Sequence, residues 1–272
     1  MKAAIIGTGF LGEQIYQEIK DSYEEVILTH HKNKKNPDSK QFNFFTDDIA
    51  EVLAGKKIDV IFLPTKIEFI ENEEVLKNAM QRFLDSTQGI RIIYISSDSV
   101  FDGLKGLYKE NDIPNGTHLY GRNLRICEDL IKAKTGNFCI VRPNHLYGFV
   151  DGKLDKRFQK TKEEFAEGKK IVRFVDMYRS PLSYQQAAQA IAKVASLQYQ
   201  GILHISGKRM SFFDFTKAGM EALGMSTENL VGEKMPVEKR AEFLPDTSLD
   251  AKFMEELTNV HPLSIKESFE KM

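Results

Sequence analysis

An apolar segment, Lys2-Ala3-Ala4-Ile5-Ile6, runs directly into Gly7-Thr8-Gly9-Phe10-Leu11-Gly12. This arrangement limits the chain to few folds. A strand that ends in a glycine turn and opens a helix is the start of a βαβ unit. The first glycine permits the turn, and the second lets backbone approach a pyrophosphate. The third lets the helix pack on the strand, while the helix N-terminus faces the anion. The segment therefore reads as a dinucleotide loop made by Gly7, Gly9, Phe10, Leu11 and Gly12, against the alternative of a purely structural glycine turn.

The pattern that follows supports this beginning. Apolar runs at Lys2 to Ile6, Val26 to Thr29, Ile58 to Leu63, Ile90 to Ile95 and Phe138 to Arg142 predict strands. Helical spacing fills the intervals at Phe10 to Ile19, Asp47 to Leu53, Asn72 to Leu84 and Leu119 to Ala133. Continuous apolar strands separated by helices predict an α/β fold, a doubly wound parallel sheet covered on both faces. After Gly148 the pattern changes, and helices and strands alternate less regularly up to a final capped helix at Pro262 to Glu267. The expected organisation is a dinucleotide-binding Rossmann core over 1–148. Residues 149–272 form a small α/β substrate lobe with returning core elements, tightly joined to it.

Bulk properties exclude several classes. The 272 residues carry a net charge of −1, which gives no electrostatic case for nucleic acid or an anionic membrane surface. No apolar run approaches the ~20 residues of a spanning helix. Cys127 and Cys139 lack CxxC spacing and read as reduced, buried thiols of a cytoplasmic protein. There is no metal-ligand spacing, so no metal site is expected.

The second strand ends in Thr29-His30-His31-Lys32, with Lys34 and Lys35 behind, and offers no carboxylate for a ribose 2′-hydroxyl. A basic cluster there suits a 2′-phosphate, so His31 and Lys32 favour NADP(H) over NAD(H), against the alternative of a solvated basic loop. Further on, Ile95-Ser96-Ser97-Asp98-Ser99-Val100-Phe101-Asp102-Gly103 places a hydroxyl just past a buried strand. Tyr120-Gly121-Arg122-Asn123-Leu124 then opens a helix. Ser97 and Tyr120 can hold both hydroxyls on one carbonyl oxygen.

This pair of segments resembles the active-site region of extended short-chain dehydrogenases/reductases, most closely the dTDP-4-dehydrorhamnose reductase group. That pattern reads roughly Ser-Thr-Asp-Tyr-Val-Phe-Asp-Gly, then Tyr-Gly-x-x-Lys. The resemblance implies hydride transfer to a carbonyl, with Tyr120 as proton donor and Ser97 as its hydrogen-bonding partner. It also implies a lysine one turn after the tyrosine, which binds the nicotinamide ribose and lowers the tyrosine pKa. Here that position is Leu124, which carries no charge. Arg125 lies about 100° around the helix and Arg122 points away, although Lys105 or Lys109 can be imagined entering from elsewhere.

Other departures fall at ligand positions. Ile6 replaces the first glycine of the family's GxxGxxG, Phe62-Leu63-Pro64-Thr65 replaces Asn-Ala-Ala, and Leu244 replaces the arginine of Arg-Pro-x-x-Ser-x-Leu-Asp. Asn43 and Phe44 occupy the adenine position, and Leu63 the loop beside the cofactor. Tyr108 to Asp112 resembles Tyr-x-Glu-x-Asp, with Asp112 holding the loop. On the substrate side the resemblance implies contacts from Val100, Phe101, Asn144, His145 and Arg179, while Lys239 or Arg240 is available to a diphosphate. The expected activity is NADP(H)-dependent reduction of a keto group on a nucleotide-activated sugar. The alternatives are a dinucleotide-binding regulatory or scaffold subunit that has lost turnover, and a nucleotide-sugar epimerase or dehydratase. A homodimer or a regulatory partner suits either of the first two readings.

Overall fold

The computed structural model describes residues 1–34 and 36–271; Lys35 of the basic segment lies outside them. Strands β1 (Lys2–Ile6), β2 (Glu25–His30), β3 (Lys40–Gln41), β4 (Val60–Leu63), β5 (Arg91–Ile95) and β6 (Phe138–Pro143) are joined through helices. These are α1 (Phe10–Ile19), α2 (Ile49–Leu53), α3 (Glu73–Ser86) and α4 (Leu119–Lys134). With the strand Gly201–Ile205 at one edge, the seven-stranded order runs Gly201–Ile205, β6, β5, β4, β1, β2, β3. The pairs from β3 through β6 are parallel. The order grows outward in both directions from β1 and β4, which is the doubly wound topology expected. Every residue of β4 and β5 is buried; β4 is apolar throughout, and β5 is apolar but for Arg91 at its start and the Tyr94 hydroxyl.

Helix ends follow local chemistry. Asn72 caps α3 by accepting from the N–H groups of Glu74 and Val75, at 3.0 and 3.2 Å. At the C-terminus, Ser264 and Glu267 form a reciprocal capping box on Ile265–Glu270.

The chain forms two compact units that are not contiguous in sequence. One comprises Met1–Phe101, Ile113–Arg142 and Ala188–Leu203; the other comprises Asp102–Asp112, Pro143–Ala187 and His204–Met272. The second unit has an aromatic core of Tyr147, Phe158, Phe165 and Phe215 with Ile171, Met220, Leu230 and Ile265. Gly219 makes room for it, because a Cβ there would lie 2.2 Å from the Phe158 ring. Among the described residues no helix is long and apolar enough to cross a membrane. Cys127 and Cys139 are free and buried.

Within the first unit, Arg142 of β6 and Glu128 of α4 are both fully buried. Arg142 Nε and Nη2 donate to the two Glu128 oxygens at 2.8 and 2.6 Å, and Ser96 Oγ donates to Oε1 at 2.7 Å. The fork-to-fork geometry satisfies both ions where water cannot. Glu128→Ala leaves a buried guanidinium unpaired and is expected to cost about 3–5 kcal/mol, read as a lowered urea midpoint.

Candidate active site

Three features bring Ser97 and Tyr120 together. Ser97 leaves β5 and caps a short 3-10 turn, Asp98–Val100, by accepting from the Ser99 N–H. Its hydroxyl donates to Asp98 Oδ1 at 2.8 Å. His118 caps α4 by accepting from the Gly121 N–H. Gly121 then meets the turn closely, since a Cβ there would lie 2.3 Å from the Ser99 carbonyl oxygen. The Tyr-Gly dipeptide is therefore what lets α4 begin against Ser99. Tyr120 and Ser97 come close enough for the serine hydroxyl to influence the phenol.

The Tyr120 phenol is pushed well above its ordinary pKa, chiefly by burial and then by the charges of Glu68 and Asp98; Ser97 opposes the shift. Phe69, itself 61% exposed, stacks on the tyrosine ring at 4.4 Å between centroids and 12° between planes. Leu124 is fully buried. Arg122 pairs with Glu73 and Arg125 with Asp129, each at 3.8 Å and partly exposed, so neither cation takes the place of a lysine at 124. In the other unit Lys105 is committed to the Asp112 carboxylate, 2.5 Å away. Asp112 also accepts from the Lys109 N–H at 2.8 Å, which holds that loop.

The glycine loop has the form that a pyrophosphate requires. Gly7 has φ +102°, a backbone conformation that favours glycine. Gly12 packs so closely that a Cβ would lie 2.2 Å from the Gly7 carbonyl oxygen, whereas a Cβ on Gly9 would meet nothing within 4 Å. Gly9 caps α1 without any side-chain bond, so no capping side chain covers the start of this helix. Phe10 and Leu11 follow it, half-buried. Thr29 secures the loop: its hydroxyl accepts from the Gly7 N–H at 3.1 Å and its carbonyl from the Thr8 N–H at 3.0 Å. His30 bonds Ser39 through Nδ1, leaving His31 and Lys32 as the exposed basic residues that follow β2.

Several of the expected contact residues have partners within the fold. Val100 and Phe101 are 0% exposed. Val100 is folded inward by the 3-10 turn, with its carbonyl accepting from the N–H groups of Asn115 and Gly116. Phe101 lies under the Arg142 guanidinium, 5.2 Å from the ring centroid. The Leu63 side chain is core. Thr65 and Pro64 take the loop position, within 3.2 Å of a Cβ on Gly7 and 3.3 Å of one on Gly12. Phe44 stacks on Phe83 at 5.1 Å inside the core, and Asn43 Oδ1 accepts from the Phe45 N–H.

In the second unit, Asn144 is a buried strut. It donates to the Thr247 carbonyl and accepts from the Ser180 N–H, at 2.7 and 2.8 Å. Arg179 spends its guanidinium on the carbonyls of Tyr178, Phe243 and Leu244. It thereby closes the turn where Leu244 adopts φ +49°. His145, at φ +33°, meets Phe212 and Phe215 edge-on. Burial, Arg157 and Arg179 push its imidazole pKa well down, so it is neutral. Lys239 and Arg240 sit at the short helical turn before Leu244, and Arg240 lies 3.5 Å from Asp176.

Sequence reasoning missed Glu68 and Phe69. The only signal was an acid set among Ile67, Phe69 and Ile70 in the segment after β4.

Comparison with known proteins gives a consistent set. The RmlD substrate binding domain family matches residues 74–272. The spore coat polysaccharide biosynthesis protein SpsK of Bacillus subtilis is 29% identical over 244 residues, covering 83% of this chain and 81% of that protein. Methionine adenosyltransferase 2 subunit beta of Danio rerio is 26% identical over 244 residues, covering 82% and 74%. Among solved structures, dTDP-4-dehydrorhamnose reductase of Bacillus anthracis in complex with NADP aligns at TM-score 0.80 and 21% identity, covering 99% and 97%.

Two of the three loop glycines, Gly9 and Gly12, are separable by experiment. Gly9→Ala fills open space at a helix cap and is expected to cost about 1 kcal/mol or less, whereas Gly12→Ala forces the helix off the strand. Thermal melts should show a small shift for the first and a large loss for the second.

Proposed function

Because the chain belongs to the RmlD substrate binding domain family, we propose that it is an NADP(H)-dependent reductase of a keto group on a nucleotide-activated sugar. The observation that carries this reading is Tyr120, in the first turn of α4, packed beside the turn that Ser97 caps at the end of β5. Gly9 leaves open space for the pyrophosphate, Gly7 and Gly12 shape the tight turn beside it, and the N-terminus of α1, which no capping side chain covers, faces the anion. Bound NADPH supplies the hydride that the carbonyl carbon receives. The chain's own residues manage the oxygen. Tyr120 delivers its proton there as negative charge develops, and Ser97 donates a hydrogen bond to the same atom.

His31 and Lys32 support the NADP(H) preference, because both are exposed and cationic or protonatable where a 2′-phosphate would lie. The SpsK similarity supports a sugar substrate. We place the protein in the cytoplasm on its two free buried thiols.

A second reading is favoured by Leu124 together with the likeness to methionine adenosyltransferase 2 subunit beta. In it the fold binds dinucleotide as a regulatory subunit without turnover, through a homodimer or a partner chain. Fluorescence titration with NADPH followed by turnover on a dTDP-4-keto sugar separates the two. Tight binding with no oxidation on any keto sugar would sink the reductase.

If the reductase reading holds, Tyr120→Phe lowers kcat by about 100-fold or more with NADPH affinity unchanged. Lys32→Glu weakens NADPH binding by about 10-fold and leaves NADH affinity alone.

A further inference from the structure

The loop after β4 turns inward at Ile67 and Glu68, and the Glu68 side chain is 1% exposed. Its Oε1 accepts from the Tyr94 hydroxyl on β5 at 2.5 Å. The backbone N–H groups of Ile67 and of Glu68 itself lie near enough to favour the ionised carboxylate. Asn123 of α4 donates Nδ2 to the carbonyls of Glu68 and Ile70, at 2.8 Å each, and so fixes the loop against the helix. On α4, Tyr120, Leu124 and Cys127 follow at i, i+4 and i+7 and share one face. Both ends of that stripe, Tyr120 and Cys127, interact with the Glu68 charge, and Leu124 between them is wholly buried. The next residue, Phe69, stacks on the Tyr120 ring, so the loop that carries Glu68 packs against α4 beside the stripe whose middle residue is Leu124.

We propose that Glu68 is the positioning residue for Tyr120 in this chain. Its carboxyl governs the charge felt by the phenol, and it would pair with an ammonium introduced at 124 before that ammonium served the phenol. This inference rests on Tyr120 as the proton donor. A cation beside a phenol eases loss of its proton, and a carboxylate opposes it. The acid must then be protonated for Tyr120 to give up its proton readily.

Burial raises the Glu68 pKa to about 7, against the bond from Tyr94 and the backbone N–H groups, so both forms coexist near neutrality. The groups facing it are Tyr94 from β5, Tyr120 and Cys127 from α4, and Lys66 from its own loop. Asp98 adds its charge at Tyr120, and Glu128 adds its charge at Cys127. Lys66, which is exposed, favours the ionised form; the two acids act against ionisation of their neighbours. Because the folded pKa lies above the ordinary 4.5, the stability linked to Glu68 is full below 4.5 and is lost as pH rises through about 7.

Thermal melts at about pH 8 of the wild type, Leu124→Lys, Glu68→Gln and the double variant form a cycle that tests this. Leu124→Lys should lower Tm less with Glu68 present than with Gln. Turnover on the keto sugar should run the other way, with the double variant at least ~10-fold faster than Leu124→Lys alone. The pH profile of wild-type reduction should fall through about 7, and Glu68→Gln should lose that limb.

Additive Tm changes would overturn the proposal. If the lysine variants fail to fold, Glu68→Gln alone decides. The wild type should lose stability relative to that variant between about pH 5 and 8, and parallel curves overturn the proposal. Coupled Tm values without turnover in any variant would sink the reductase reading while leaving Glu68 assigned. Turnover with additive Tm values would do the reverse.

Discussion

The buried bidentate pair between Arg142 and Glu128 is the constraint on which the candidate active site depends. Glu128 belongs to the helix that carries Tyr120, and Ser96, which also bonds it, immediately precedes Ser97. One carboxylate thus ties β6, the end of β5 and α4 to a common point. Buried ions contribute little net stability compared with apolar groups of the same shape, but they tolerate only a narrow geometry. Here that narrow geometry fixes the distance between a hydroxyl on a strand end and a phenol on a helix. The same arginine covers Phe101, so the segment that follows Ser97 is held from the same centre.

Around this centre the surroundings of Tyr120 act in one direction. Leu124 carries no charge, and Glu68 brings an acid near the same helix. Phe69 covers the tyrosine ring with another aromatic face. Each makes a phenolate less favourable. Burial compounds the effect, because charges interact more strongly where water is excluded. These surroundings favour the protonated phenol.

The fold was largely legible in the sequence, because it is written in local signals. Strand periodicity, the glycine spacing at 7, 9 and 12, and the capping residues at 72 and 264 each act within a few neighbours. Ser97 and Tyr120 were legible because the turn and the helix start that carry them are local too. The orientation of individual side chains was not legible, for one reason. A motif sets Val100, Phe101, Asn144 and Arg179 in stretches where a ligand is expected, but does not say which way each side chain turns. That is decided by partners far away in sequence, such as Arg142 for Phe101, Thr247 for Asn144 and Leu244 for Arg179. Glu68 was invisible for the same reason. Its inward turn depends on Tyr94 and Asn123, 26 and 55 residues further on.

The stack of Phe69 on Tyr120 has an optical consequence. The chain contains no tryptophan, so its ultraviolet emission comes from tyrosine alone and is silent at longer wavelengths. A single indole placed at 69 would sit against the phenol with its outer face in solvent. Anything that came to lie on that face would change its emission with no background to subtract. The residue that stacks on Tyr120 is thus also the place from which the arrival of a ligand beside it can be watched.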